Sequence, residues 1–155
     1  MGVPLRHNDA VAHRRDIAAT INAMTELREW TPTIVGTSAA GVGTYTTQFG
    51  YYQKIGPMVF VKCNLLWTAH TGTGNMNIGG LPVTSDDVAG SESPVSVWSD
   101  EISISANKII QGFITTDSVL VTLKQVPTGG GSIADVPIDT AGQILISGFY
   151  TAKEN

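Results

Sequence analysis

The sequence predicts an all-β domain, a sandwich or jelly roll, preceded by one amino-terminal helix. Beyond Pro32 the chain breaks into about eight short segments rich in Val, Ile, Thr, Tyr and Phe, separated by Gly, Pro, Asn and Asp, with no helical period between them. Before Trp30 the period is that of a helix, with Ile17, Ile21, Met24 and Leu27 at spacings of four, three and three. Only 14% of the 155 residues are charged, below the roughly 25% usual in soluble domains. Hydroxyls and amides then keep the surface wet, which suits β-structure and oligomers that hide surface. The length suits one core, so the division is an arm and helix over residues 1–30 and a β domain over 31–155.

Met1 to His7 forms a short polar arm, expected to be mobile or docked on a partner. Asn8 or Asp9 caps a helix running to about Trp30, where Thr31 and Pro32 end it because the residue before proline disfavours the α region. Its stripe, Ile17, Ile21, Met24 and Leu27, has two readings. It packs on its own domain, or it forms the seam of a bundle with copies of itself. A helix of about 22 residues is marginal alone in water and needs one of the two.

Thr33 to Gly43 reads as a strand running into a glycine-rich loop. Gly41 and Gly43 fit neither a dinucleotide fingerprint nor a P-loop, so they are turn residues. Thr44 to Gln48 and Tyr51 to Ile55 flank Phe49-Gly50 as an expected hairpin, and Gly56-Pro57 turns the chain into its longest strand, Met58 to Thr68. Alternation puts Val59, Val61, Cys63, Leu65 and Trp67 on one face, a core face. The other face mixes Phe60 and Leu66 with Lys62, Asn64 and Thr68, the pattern of a surface partly covered by another subunit. Asn75 to Ile78 is a further strand, Val83 to Ser93 an exposed loop. Pro94 to Trp98, Glu101 to Ser105, Lys108 to Thr115, Ser118 to Gln125 and Gln143 to Thr151 complete the set. The last three are apolar on both faces, which argues for a sheet buried between subunits or covered by loops or the helix.

Charge excludes one class of partner. All four arginines lie before residue 31, and beyond it five lysines face nine acids, so no basic stripe exists for nucleic acid. Cys63 stands alone on an apolar strand face, a buried inert thiol. The amino terminus lacks the apolar run of a signal peptide, and no segment has the length of a membrane span. The expectation is a protein made and kept in a cytosol, or released by cell lysis, with no membrane insertion.

The succession WTPTIVGTSAAGVGTYTTQFGYYQKIGPMVFVKCNLLW, followed by IGGLP, resembles the carboxyl-terminal module of tailed-bacteriophage tail-fibre, tail-needle and related virion appendage proteins. The matching elements are Trp30 to Pro32, Tyr45-Thr46, Gly50 to Gly56, Val59-Phe60-Val61 and Gly80 to Pro82, with a weaker echo in Ile146 to Ala152. The resemblance implies a homotrimer of tumour-necrosis-factor-like jelly rolls on a helical stem, in a virion, with other virion structural proteins as partners. Family modules often end long fibres, whereas about thirty residues precede this one, which implies a short appendage fixed directly to a larger component. Nothing after Pro82 aligns, so a receptor, a host surface glycan or protein, is left open.

Residues for chemistry are sparse. A Ser-His-Asp site could be built only around His70, whose surroundings hold no nucleophile elbow. His7 and His13 are six apart and do not share a helical face. Asp86-Asp87, Asp100-Glu101, Asp135 and Asp139 read as caps and solvated turn charges. No catalytic, metal or cofactor residue is therefore assigned, and a polysaccharide-cleaving enzyme is the remote alternative. The candidate subunit interface is Ile17, Ile21, Met24, Leu27, Phe60 and Leu66. The candidate receptor contacts are His70, Thr71, Asn75, Asp86 and Asp87, on loops expected to be distal: Ala69 to Asn75 and Val83 to Ser93, with Pro127 to Asp135 a third such loop.

Overall fold

The structure, a computed structural model, describes residues 7–154. The arm before His7 lies outside the described residues, as does the Met24 side chain. Helix α1 (His7–Thr25) is followed by β1 (Arg28–Glu29), β2 (Thr33–Gly36), β3 (Gly43–Ile55), β4 (Met58–His70), β5 (Met76–Gly79), β6 (Ser93–Asp100), β7 (Lys108–Ile114), β8 (Val121–Pro127), β9 (Ala134–Asp135) and β10 (Gly142–Thr151). All strands join one antiparallel sheet in the order β1-β3-β4-β10-β6-β7-β8-β5-β2, with β9 beside β8. Hairpin-linked β6, β7 and β8, with β5 returning beside β8, stand in Greek-key order.

The sheet is curled on itself. β1 and β2 are neighbours in sequence yet stand at opposite ends of the strand order, so the two halves must face each other. Between them lies one core: Val59, Leu65 and Trp67 of β4 and Ile144 and Ile146 of β10 meet Ile78, Ile110, Val121 and Leu123 of the other half. The alternation expected in β4 is realised residue by residue, with Val59, Val61, Cys63, Leu65 and Trp67 buried and Phe60, Lys62 and Thr68 exposed. Trp67 spends its indole N–H on the Asp139 carbonyl at 3.1 Å, so the largest core residue leaves no polar atom unpaired.

Four sequence expectations are corrected. The helix stops at Thr25 rather than Trp30, because Arg28 and Glu29 pair with Tyr52 and Tyr51 of β3. Ladder bonds to a preformed sheet outweigh the propensity of one more helical turn. Leu27 thereby leaves the helical stripe. Phe49-Gly50 is not a turn: β3 runs straight through it. Gly50 is there because Trp30 lies on it, and a Cβ would come within 2.6 Å of the indole Nε1. The Trp30 N–H donates to the Gly50 carbonyl at 3.0 Å and its indole N–H to the Tyr51 carbonyl at 3.2 Å, which fixes where the chain enters the sheet. Residues 101–105 are not a strand. The Ser103 N–H is taken by the Asp139 carboxylate at 2.8 Å and the Ser105 N–H by the Gln125 side chain at 2.7 Å, so side chains replace a ladder. Ala134–Asp135 forms a short strand where the sequence predicts a loop.

Candidate interaction face

The outer face of β3, β4, β10 and β6 carries the exposed aromatic surface, and register sets its composition. Cross-strand partners share a face, so each row of the sheet can be read off directly. Phe60 stands opposite Phe149 and Gln53; Lys62 opposite Tyr51 and Ser147; Asn64 opposite Phe49 and Leu145, with Trp98 next to Leu145. Leu66 lies opposite Thr47 and Gln143. The Phe60 and Phe149 rings are 6.0 Å apart, and Phe49 meets Tyr51 edge to face at 4.5 Å. The Lys62 ammonium lies 5.8 Å from the Tyr51 ring centre.

These side chains are dry-natured but wet in the single chain. Phe60 is 44% exposed, Phe149 53% and Trp98 53%. Phe49 and Trp98 wall a groove of about 460 Å³ floored by Lys62, Asn64, Ser96 and Ser147. A second hollow of about 300 Å³ joins Leu27 to Phe60. Leu27, though off the helix, is therefore brought to the same face as Phe60. Ile17 and Ile21 on α1 are about half exposed, at 47% and 53%, so this chain's own sheet does not cover the helical stripe.

The expected receptor residues are split between two ends of the sheet. β4 is 13 residues long, roughly 40 Å. Thr71 and Asn75 follow its carboxyl end, and the residue 127–135 connection joins them there through the hydrogen bond from Asn75 Nδ2 to Asp135 at 2.9 Å. Asp86 and Asp87 lie at the other end, where the Asp86 N–H donates to the Thr151 carbonyl at 2.8 Å. That is also the end where the chain enters from α1, since β1 pairs antiparallel with Tyr51 and Tyr52 in the half of β3 that ends at Ile55, and the residues before Arg28 lead on towards that end. The residue 83–93 loop is thus proximal to the helix, a correction to the expectation that it is distal. His70 is withdrawn from any contact surface: it is 7% exposed and its ring is bonded within the fold.

The carboxylates are already engaged. Asp86 accepts Ser91 Oγ and the Val88 N–H, both at 2.7 Å, and these bonds hold its carboxyl below the usual range. Lys153 bridges Asp117 at 2.7 Å and Asp87 at 3.2 Å, and Asp135 pairs with Lys124. Burial pushes the Cys63 thiol up to about 12, opposed only by a backbone bond at Ile146, so it is protonated and unreactive. Among the described residues no three His, Cys, Asp or Glu side chains gather as metal ligands would. No described helix is long and apolar enough to cross a membrane.

Phe49, Leu145, Trp98 and Phe149 complete this face; Leu145 and Phe149 stand on the strand the sequence reads as apolar on both faces, while Phe49 and Trp98 are not assigned to it there. The available signal is alternation within each strand, which finds faces but not which strands are neighbours.

No family model matches the chain, and no curated protein matches it in sequence. Its fold is similar to part of the crystal structure of the Dettilon tailspike protein, with a TM-score of 0.65 over 81% of this chain at 15% identity. The chain spans 23% of that protein's length.

Proposed function

We propose that this chain is a structural module of a bacteriophage tail appendage. It is a non-enzymatic virion protein in which three β domains of jelly-roll, tumour-necrosis-factor-like type assemble on a stem built from residues 1–27, with 28–155 as the head because Arg28 to Trp30 join the sheet. The observation that carries the assembly is apolar surface left uncovered by the chain itself, on the α1 stripe at Ile17 and Ile21 and on the sheet at Phe60, Phe149 and Trp98. A soluble monomer rarely leaves so many large apolar side chains on one continuous face, and Leu27 links the two surfaces. The likeness to a tailspike supports the virion setting. Other virion proteins are its fixed partners through the amino-terminal segment.

Receptor contact is the second reading. It is favoured by the gathering of Thr71, Asn75 and the residue 127–135 connection at the end of the sheet opposite the helix, where three copies would present a host glycan or surface protein with three weak sites acting together.

Light scattering at low micromolar concentration tests the assembly. The expected mass is three times the 16.4 kDa of the chain, and a monomer would remove both the stem and the shared face. Removing residues 1–27 should leave a folded β domain that no longer joins particles. Truncated chains recovered in virions at the wild-type level would overturn the anchor role.

A further inference from the structure

The curled sheet does not close through a backbone ladder. Where β2 meets β3 and β4, side chains make the junction: the Ile34 N–H donates to Tyr45 Oη at 2.8 Å, Gln48 Nε2 donates to the Pro32 carbonyl at 2.9 Å, and His70 Nε2 lies 3.1 Å from the Ile34 carbonyl. Of these three side chains only the imidazole gains a positive charge on taking up a proton. Its other nitrogen, Nδ1, accepts the Gly72 N–H at 2.9 Å. That bond requires a lone pair on Nδ1, so the ring is neutral, with its proton on Nε2 donated to Ile34.

The ring is enclosed by backbone. A Cβ on Gly41 would come within 2.9 Å of the imidazole Cε1, and one on Gly72 within 2.6 Å. The two loops that enclose it, residues 37–42 and 71–75, are laced together by Ser38 N–H to the Thr73 carbonyl at 3.0 Å and Thr71 N–H to the Val42 carbonyl at 3.1 Å.

We propose that His70 is an acid-sensitive lock on the distal end of this seam. A proton taken from solvent onto Nδ1 consumes the lone pair and sets one N–H against another, that of Gly72. No described carboxylate is hydrogen-bonded to the ring, and Asp139, next to the Ile138 whose N–H meets the Gly74 carbonyl, is taken by the Ser103 N–H. The segments packed around the ring, residues 33–49 and 71–79, carry Tyr45 as their single titratable side chain, and its hydroxyl oxygen is committed to Ile34. Asp135, which reaches Asn75 from β9, is already paired with Lys124. A buried cation without an anionic partner is relieved by reaching water, which here means opening the residue 37–42 and 71–75 loops. Thr71 and Asn75 ride on that opening, and the lock operates whatever those loops touch.

Amide hydrogen exchange of the full chain tests this, compared at about pH 7.5 and about pH 5, after correction for intrinsic exchange rates. Wild-type Gly72, Thr73 and Ala39 should lose about tenfold in protection at the lower pH, as expected for one lost hydrogen bond, while β4 and β10 stay protected. His70→Gln, whose amide supplies a donor and an acceptor but does not titrate, should show no such change. Equal wild-type protection at both pH values, or the same loss in His70→Gln, overturns the proposal. Ring nitrogen chemical shifts of the wild type give a second reading that needs no variant: a proton on Nδ1 rather than Nε2 at the higher pH overturns it as well.

Discussion

Phe60→Asp separates assembly from folding. Phe60 and Val61 are adjacent on β4 and point to opposite faces, the first 44% exposed and the second 5%. A Phe side chain covers about 200 Å², so roughly 90 Å² of Phe60 is open to be covered in the proposed trimer. At about 25 cal/mol per Å², covering it stabilises each subunit contact by roughly 2 kcal/mol. Aspartate forfeits that and adds the cost of desolvating a carboxylate, so each contact weakens by at least about thirtyfold, compounded over the three contacts of a trimer. Sedimentation at low micromolar concentration should therefore show Phe60→Asp as a folded monomer with an unchanged circular dichroism spectrum. Leu66→Asp should act in the same direction, more weakly, because Leu66 is already half-buried. Val61→Asp should lose the cooperative transition altogether, as a charge in the core without a partner. A Phe60→Asp chain that stays trimeric, or one that unfolds as Val61→Asp does, would refute the assignment of this face.

Gly50→Ala should lower the midpoint of thermal unfolding, by about 1–3 kcal/mol of stability, since its methyl would overlap the Trp30 indole; an unchanged midpoint would show that Trp30 does not hold the chain's entry. Gln125→Leu leaves the Ser105 N–H and the Asp135 carbonyl without their partners, a loss of about 1–3 kcal/mol for each group stranded from water, to be read by urea denaturation. Alkaline pH should destabilise the fold. Burial pushes Cys63 and Tyr150 each up to about 12, so the folded chain keeps protons that the unfolded chain releases. Stability is then full below about pH 8.5, where the unfolded thiol begins to ionise, and falls as pH rises towards 12. A midpoint that holds steady across that window would show that these groups are wet.

Strand alternation by itself makes the core legible. Val59 to Trp67 need only a period of two, because a strand has just two faces and the apolar one seeks the interior. The errors fall where a contact distant in sequence decides a local conformation. Gly50 reads as a turn until Trp30, far back along the chain, is found lying on it. Residues 101–105 read as a strand until Asp139 and Gln125 are seen taking the N–H groups that a ladder would have taken. Arg28 and Glu29 continue a helical pattern perfectly well until β3 offers them a partner. In each case one or two hydrogen bonds suffice to override the local propensity, and propensity alone cannot know that the competitor exists.

The face that matters most for assembly is half legible for the same reason. Phe60 can be placed on an outer surface from its own strand, but its partnership with Phe149 requires knowing that the last strand inserts between β4 and β6. Insertion of β10 has a second consequence. It ties β10 between segments more than forty residues distant in sequence, so the proposed interaction face cannot form until β10 has been made. In the proposed trimer half of this face stands on β10, which also lies between β4 and β6, and a chain truncated before Gly142 should therefore neither fold nor trimerise.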